Sequence, residues 1–191
     1  MKKLVVSLLL CIALMLPVLA LAEGAVEWVT LDYEDFSMQV KSTDILQQGE
    51  KSNGSVLFVL YPDYVDADVF HSNINCAWIS NDLTGLGGMS AQAYAQMVLD
   101  AAKQQFSAQN IACQNEQIIN FELSEDGTEL SLLFSYDLDY SAAGHNLQTT
   151  LYQLQLYAML GDKGTYMFTF SATDMATLEN MLVYAQTVEL K

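Results

Sequence analysis

From Leu130 to Tyr140 every second residue is large and apolar: Leu130, Leu132, Phe134, Tyr136, Leu138 and Tyr140. Successive side chains of a strand point to opposite faces, so this run has one face to bury and reads as a long strand. The alternate positions, Glu129, Ser131, Leu133, Ser135, Asp137 and Asp139, form a mostly polar second face. The same period appears on either side. Ile119, Phe121 and Leu123 precede it across the turn Asp126-Gly127, and Tyr152, Leu154, Leu156 and Ala158 follow after Ala142–Asn146. A third turn, Gly161–Gly164, leads into Thr165–Phe170, where aromatic residues alternate with small or flexible ones. Period two with a turn every ten to fifteen residues predicts an antiparallel meander.

The first half adds strands and one helix. Trp28–Leu31 is β-prone, and Phe36, Met38 and Val40 alternate with Ser37, Gln39 and Lys41. Residues 42–54 are polar and end in the turn dipeptide Asn53-Gly54. Ser55–Tyr61 is apolar on both faces, as suits a strand covered on both sides. Phe70–Ser80 is the next strand candidate, with Phe70, Ile74, Cys76 and Trp78 on one face. After the glycine-rich stretch Asn81–Gly88, Ser90 is a good N-cap. Tyr94, Met97, Val98, Ala101 and Ala102 then mark a helix face that runs to Phe106. Ser171-x-x-Asp174 has capping-box spacing before a second helix striped with Met175, Leu178, Met181, Leu182 and Ala185. Two principal helices packed on about six strands make an α+β domain.

The N-terminus reads as a leader. Met1-Lys2-Lys3 is basic, Leu4–Leu16 is apolar apart from Ser7, and Pro17 precedes the small-x-small box Ala20-Leu21-Ala22. This predicts a signal peptide over residues 1–22, a single domain over 23–191, and a secreted or extracytoplasmic protein, in a periplasm or at a cell surface. Retention of the leader as a membrane anchor is the alternative. Without it no stable membrane insertion is expected. All seven basic residues of the chain are Lys, and the whole carries a net charge of −16. Cleavage leaves five Lys against 23 acids, or −18. A chain this acidic, with no Arg, repels nucleic acid and anionic membrane. It also lacks the guanidinium fork commonly used to grip phosphate or carboxylate.

Chemistry-bearing residues are sparse. Cys76 and Cys113 survive cleavage, and export permits one disulfide between them; two small buried thiols is the other reading. Asp63, Asp66 and Asp68 could gather oxygen ligands for Ca²⁺, yet the run lacks the central Gly and distal Glu of an EF-hand loop, so a solvated acidic loop is the simpler reading. Asp137 and Asp139 project from one strand face, where paired carboxylates can do acid–base work or can simply be wet. His71 and His145 stand far apart in sequence, and no zinc, nucleophile-elbow or phosphate-loop motif accompanies them. Gly85-Leu86-Gly87-Gly88 reads as a hinge or loop, since no Lys follows it. Tyr33, Tyr61, Tyr64, Tyr136, Tyr140, Tyr152 and Tyr157 suit core edges or a ligand groove. No catalytic residue and no cofactor is expected.

Three pieces carry a resemblance. They are Asp35-Phe36-Ser37-Met38-Gln39-Val40, Ala91-Gln92-Ala93-Tyr94 at the first helix, and Tyr166-Met167-Phe168-Thr169-Phe170-Ser171-Ala172 before the last. In these and in its order of elements the chain resembles the PsbP/Mog1-like domains, including small exported bacterial relatives. The resemblance implies an α/β/α sandwich around an antiparallel sheet that acts by binding or assembly. The function expected is therefore an exported, non-catalytic domain that binds a protein partner or small ligand at the cell envelope. A carboxylate-dependent hydrolase and a Ca²⁺-tuned module are the alternatives.

Overall fold

The computed structural model describes residues 2–3, 26–62 and 70–191. From residue 26 onward the described chain forms ten strands and two α-helices. The strands are β1 (Trp28–Asp32), β2 (Phe36–Lys41), β3 (Ile45–Gln48), β4 (Ser55–Tyr61), β5 (Asn73–Ile79), β6 (Ala112–Leu123), β7 (Glu129–Asp139), β8 (Gln148–Met159), β9 (Thr165–Ala172) and β10 (Glu189–Leu190). The helices are α1 (Ala91–Ala108) and α2 (Met175–Ala185). Seven strands make the main sheet in the order β3-β4-β5-β9-β8-β7-β6. β10, β2 and β1 form a small second sheet, and Lys2–Lys3 lies antiparallel beside β10. Among the described strands every pairing is antiparallel, for example Phe168 opposite Cys76 on one side and Leu156 on the other.

Ten strands in two sheets replace the six expected. β3 and β10, four and two residues long, are too short to show an apolar alternation that would announce them. They form because neighbouring strands offer free backbone donors and acceptors. β6 starts six residues ahead of its apolar part, at Ala112, for the same reason. Bulges break its register between Gln114 and Gln117 and again between Ile118 and Asn120. Asn115 takes a positive φ of 52° in the first of these.

The register sorts the side chains into two cores on opposite faces of the main sheet. On one face Phe58, Leu60, Ile74, Cys76, Leu156, Tyr166, Phe168 and Phe170 meet α2 and the β1–β2 hairpin. Phe36 of β2 sits edge-on to Tyr166 and to Phe168, with ring centroids 5.2 Å away in each case. Burying one such Phe contributes about 1.5–3 kcal/mol. On the other face Leu132, Phe134, Tyr136, Leu138 and Leu151 meet Ala95 and Leu99 of α1. The helices thus cover opposite faces, a matter that periodicity left open. Layered as α1, main sheet, then α2 with the small sheet, the domain is an α+β sandwich.

Local signals place the helix starts. Ser90 accepts from the Ala93 N–H at 3.2 Å, as its type predicts. At α2 the cap is Asp174 itself, whose carboxylate accepts from the Thr177 N–H and hydroxyl at 2.8 Å each. Ser171, expected to open a capping box with Asp174, belongs instead to β9. The glycine-rich stretch is no free hinge. Thr84–Gly88 makes a 3₁₀ turn in which Gly85, Leu86 and Gly87 all have φ near +60°, a conformation cheap for Gly and costly for Leu. Leu86 is held there by burial in the cluster with Tyr94, Leu130 and Tyr157.

Candidate functional site

The β6–β8 half of the main sheet carries a polar surface on the α2 side. Its centre is β7, where Ser135, Asp137 and Asp139 share a face with Gln114 of β6 and Thr150 and Gln148 of β8 across the ladder. A shallow concavity of about 420 Å³ lies over Asp137, Asp139, Asn115, Gln114, Gln148 and Thr150. The paired carboxylates therefore do meet in a depression. No Lys lines it.

Both carboxylates are fully engaged by neutral donors. Asp137 accepts from Asn115 Nδ2 at 2.8 Å and from the Thr150 hydroxyl at 2.7 Å, one to each oxygen. Asp139 accepts from the Ser141 N–H at 2.8 Å and from Gln148 Nε2 at 2.9 Å. These bonds hold the carboxyl of Asp137, through Asn115 first and then Thr150, below the ordinary range. Asp139 is lowered likewise, chiefly by Ser141. An acid–base pair needs the two groups pushed apart, one of them upward. Here both move down, so the site presents two fixed negative charges within a field of amides and hydroxyls.

A second charged cluster was invisible in the sequence. Asp35, in the β1–β2 turn, is only 4 % exposed. Its carboxylate accepts from the Tyr166 hydroxyl at 2.6 Å and pairs with Lys51 and Lys163, each at 3.1 Å. Lys51 also reaches Glu34 at 3.2 Å and lies 5.0 Å from the Trp78 ring centre. Burial alone would raise the Asp35 carboxyl. Tyr166, Lys163 and Lys51 together overcome that and hold it below the usual range. The Tyr166 phenol is pushed up to about 12, first by burial and then by its bond to Asp35. The cluster joins the small sheet to the main one. Lys51 precedes the Asn53-Gly54 turn and Lys163 lies within the Gly161–Gly164 turn, and no local pattern links positions so distant.

The remaining candidates fall elsewhere. Asp63, Asp66, Asp68 and Tyr64 lie outside the described residues. Among the described residues, no group of three His, Cys, Asp or Glu is placed to hold a metal ion. Cys76 and Cys113 are both free thiols, so the disulfide that the even count permits is not formed. Cys76 is buried in the α2-side core and Cys113 packs on the α1-side cluster, which puts the sheet between them. His145 is exposed in its turn, and the His71 ring meets Tyr61 edge-on at 6.1 Å. Of the tyrosines, Tyr136, Tyr140 and Tyr157 are buried in core clusters, Tyr33 stacks on Phe36 and Phe58, and Tyr152 packs against the α2-side core.

No protein-family model matches the chain, and no curated protein does. Solved structures do. The solution structure of the cyanobacterial PsbP, CyanoP, from Synechocystis sp. PCC 6803 aligns at a TM-score of 0.57 and 13 % identity, covering 89 % of this chain and 96 % of that one. The crystal structure of the Saccharomyces cerevisiae Ran-binding protein Mog1p aligns at 0.52 and 9 % identity, covering 87 % and 96 %. Identities this low establish architecture, and with both chains covered almost end to end the architecture is that of the PsbP/Mog1 fold.

Proposed function

We propose that the chain is an exported, non-catalytic domain that binds a protein partner at the cell envelope, presenting the concave face of β6–β8 to a basic segment. The observation that carries this is the state of Asp137 and Asp139. Both are lowered in pKa, both are held by neutral donors, and no Lys lies in their concavity. A net charge of −16 adds long-range attraction for a cationic partner and speeds encounter. The leader-like first 22 residues support export, and among the described residues no helix is long and apolar enough to cross a membrane. The likeness to a protein named for binding Ran supports a protein partner over a small substrate. A hydrolase reading gains the concavity but lacks a carboxyl raised toward neutral pH.

Immobilised domain should retain a basic envelope protein at low salt and release it as ionic strength rises, because exposed charge pairs are screened within about 10 Å at 0.1 M. The Asp137→Asn/Asp139→Asn double variant should retain it no better than bare matrix. Retention of nothing by the wild type at low and moderate salt, or equal retention by both proteins, would count against the reading.

A further inference from the structure

β6 is an outer strand of the main sheet. It pairs with β7 along one side and, among the described strands, with nothing along the other. A free edge of this kind presents backbone N–H and C=O groups that a further strand can take up. Its first three residues are open to solvent: Ala112 and Gln114 are exposed and Cys113 is half-buried. The ladder is regular over these three and is broken just beyond, where the register shifts between Gln114 and Gln117. Such a bulge bends the edge away and keeps the usable stretch short.

The two sides of this stretch differ. Ala112 stands opposite Asp139 and Gln114 opposite Asp137, so their side chains share the acidic face, and both line the concavity of about 420 Å³. Cys113 stands opposite Leu138, and both belong to the cluster under α1. On that side lies a second depression of about 680 Å³, bounded by Ile111 to Gln114 and by Lys103, Gln104, Ser107 and Ala108 of the last turns of α1. Its lysine is already taken, because Lys103 pairs with Glu116 at 2.6 Å. What the groove offers a ligand is therefore the apolar surface of Ala108, Ile111 and Cys113.

One short piece of edge thus borders an acidic concavity on one face of the sheet and an apolar groove on the other. A strand laid along it sends successive side chains to the two faces in turn. Its residues i and i+2 fall about 7 Å apart, which is also the spacing of Asp137 and Asp139 on β7. Basic side chains at those two positions run toward the two carboxylates, and the small Ala112 leaves the way to Asp139 open. The residue between them turns to the groove. No lysine lines the acidic concavity, so charge complementarity calls for cations on that side. On the other side the paired Lys103 leaves an apolar residue as the better fit.

We propose that the Ala112–Gln114 edge takes up an extended segment of the partner as an added strand of pattern basic–apolar–basic. The basic side chains lie over Asp137 and Asp139, and the apolar one lies in the groove beside α1. This inference rests on the basic-partner reading and names what that partner must carry. In strand addition main-chain hydrogen bonds supply affinity, and pockets for alternate side chains supply specificity.

The test uses two end-capped peptides of equal charge and composition, Lys-Leu-Lys-Leu-Lys and Lys-Lys-Leu-Leu-Lys, titrated into isotopically labelled full-length protein. The alternating peptide should bind at least tenfold more tightly and should shift the backbone amides of Ala112, Cys113 and Gln114 saturably. Methylating its backbone nitrogens along one edge should abolish that preference, and methylating along the other edge should leave it. Ala108→Gln, a neutral change at an exposed helix end, should weaken the alternating peptide at least fivefold with an unchanged urea midpoint. Equal binding of both peptides, lost together in Asp137→Asn/Asp139→Asn, would overturn strand addition and leave the basic-partner reading standing. A preference for the alternating peptide that survives in that double variant would overturn the basic-partner reading while supporting the edge. No saturable shift at Ala112–Gln114 with either peptide overturns the proposal.

Discussion

The Tyr166 hydroxyl donates to the Asp35 carboxylate across 2.6 Å, although 131 residues separate them in the chain. The bond ties β9, central to the main sheet, to the turn of the small sheet's first hairpin. Asp35 also takes Lys51 and Lys163, and its backbone carbonyl accepts from the Lys191 N–H at 2.9 Å. One turn residue thereby gathers two separate loops, a central strand and the end of the chain.

Tyr166→Phe keeps the ring that packs on Phe36 and removes only the hydroxyl. Hydrogen bonds to charged groups contribute about 1.5–3 kcal/mol, and the variant should lose stability in that range by urea denaturation. Asp35→Ala should cost more than Tyr166→Phe, because it leaves the buried phenol without its acceptor and also removes the pairing of Lys51 and Lys163. An Asp35→Ala variant as stable as Tyr166→Phe would mean that the lysines contribute nothing.

Acid should expose the same cluster. The native Asp35 carboxyl titrates below its unfolded value of about 3.9. The stability it contributes is therefore complete above that value and is lost as pH falls through the lowered native pKa. Asp137, Asp139, Asp174 and Glu116 are shifted the same way and add to the slope. Urea midpoints should be flat near neutrality and fall steeply below about pH 4. In Asp35→Asn the acid limb should be shallower; an unchanged limb would remove Asp35 as a contributor.

Asp137 and Asp139 make the opposite prediction for stability. They are half-buried on an open face with neutral partners, so Asp137→Asn/Asp139→Asn should change stability by only about 0.5 kcal/mol, as surface changes do. Loss of partner capture in a variant that melts like the wild type would isolate the binding role from a structural one.

The thiols should differ in reactivity. Burial pushes the Cys76 thiol well above its ordinary pKa and leaves it fully enclosed. Cys113 is half-buried and raised less, mainly by burial. Brief alkylation of native protein should label Cys113 before Cys76, and denaturation without reductant should yield both. A mass lower by two hydrogens, with neither thiol labelled, would show a bridge.

Asp174 sets the start of α2. Its substitution by Ala should cost about 1 kcal/mol, the usual worth of an N-cap, whereas Ser171→Ala should leave the helix start intact.

Sequence alone determined what short-range periodicity can encode. The alternation of β7 and β8, the stripe of α2 and the Ser90 cap depend on residues at most four positions apart, and each stands as expected. Three quoted segments also pointed to the PsbP/Mog1 fold. What only tertiary structure decided are relations between distant segments. β3 and β10 exist because a neighbouring edge offers backbone partners, which runs of four and two residues do not announce. The opposite placement of α1 and α2, and hence the separation of Cys76 from Cys113, follows from strand register across the sheet. Asp137 reads as one more wet-face residue until twist and the Asn115 bulge shape a concavity around it. Alternation is local chemistry, but a site is made where register brings separate strands together.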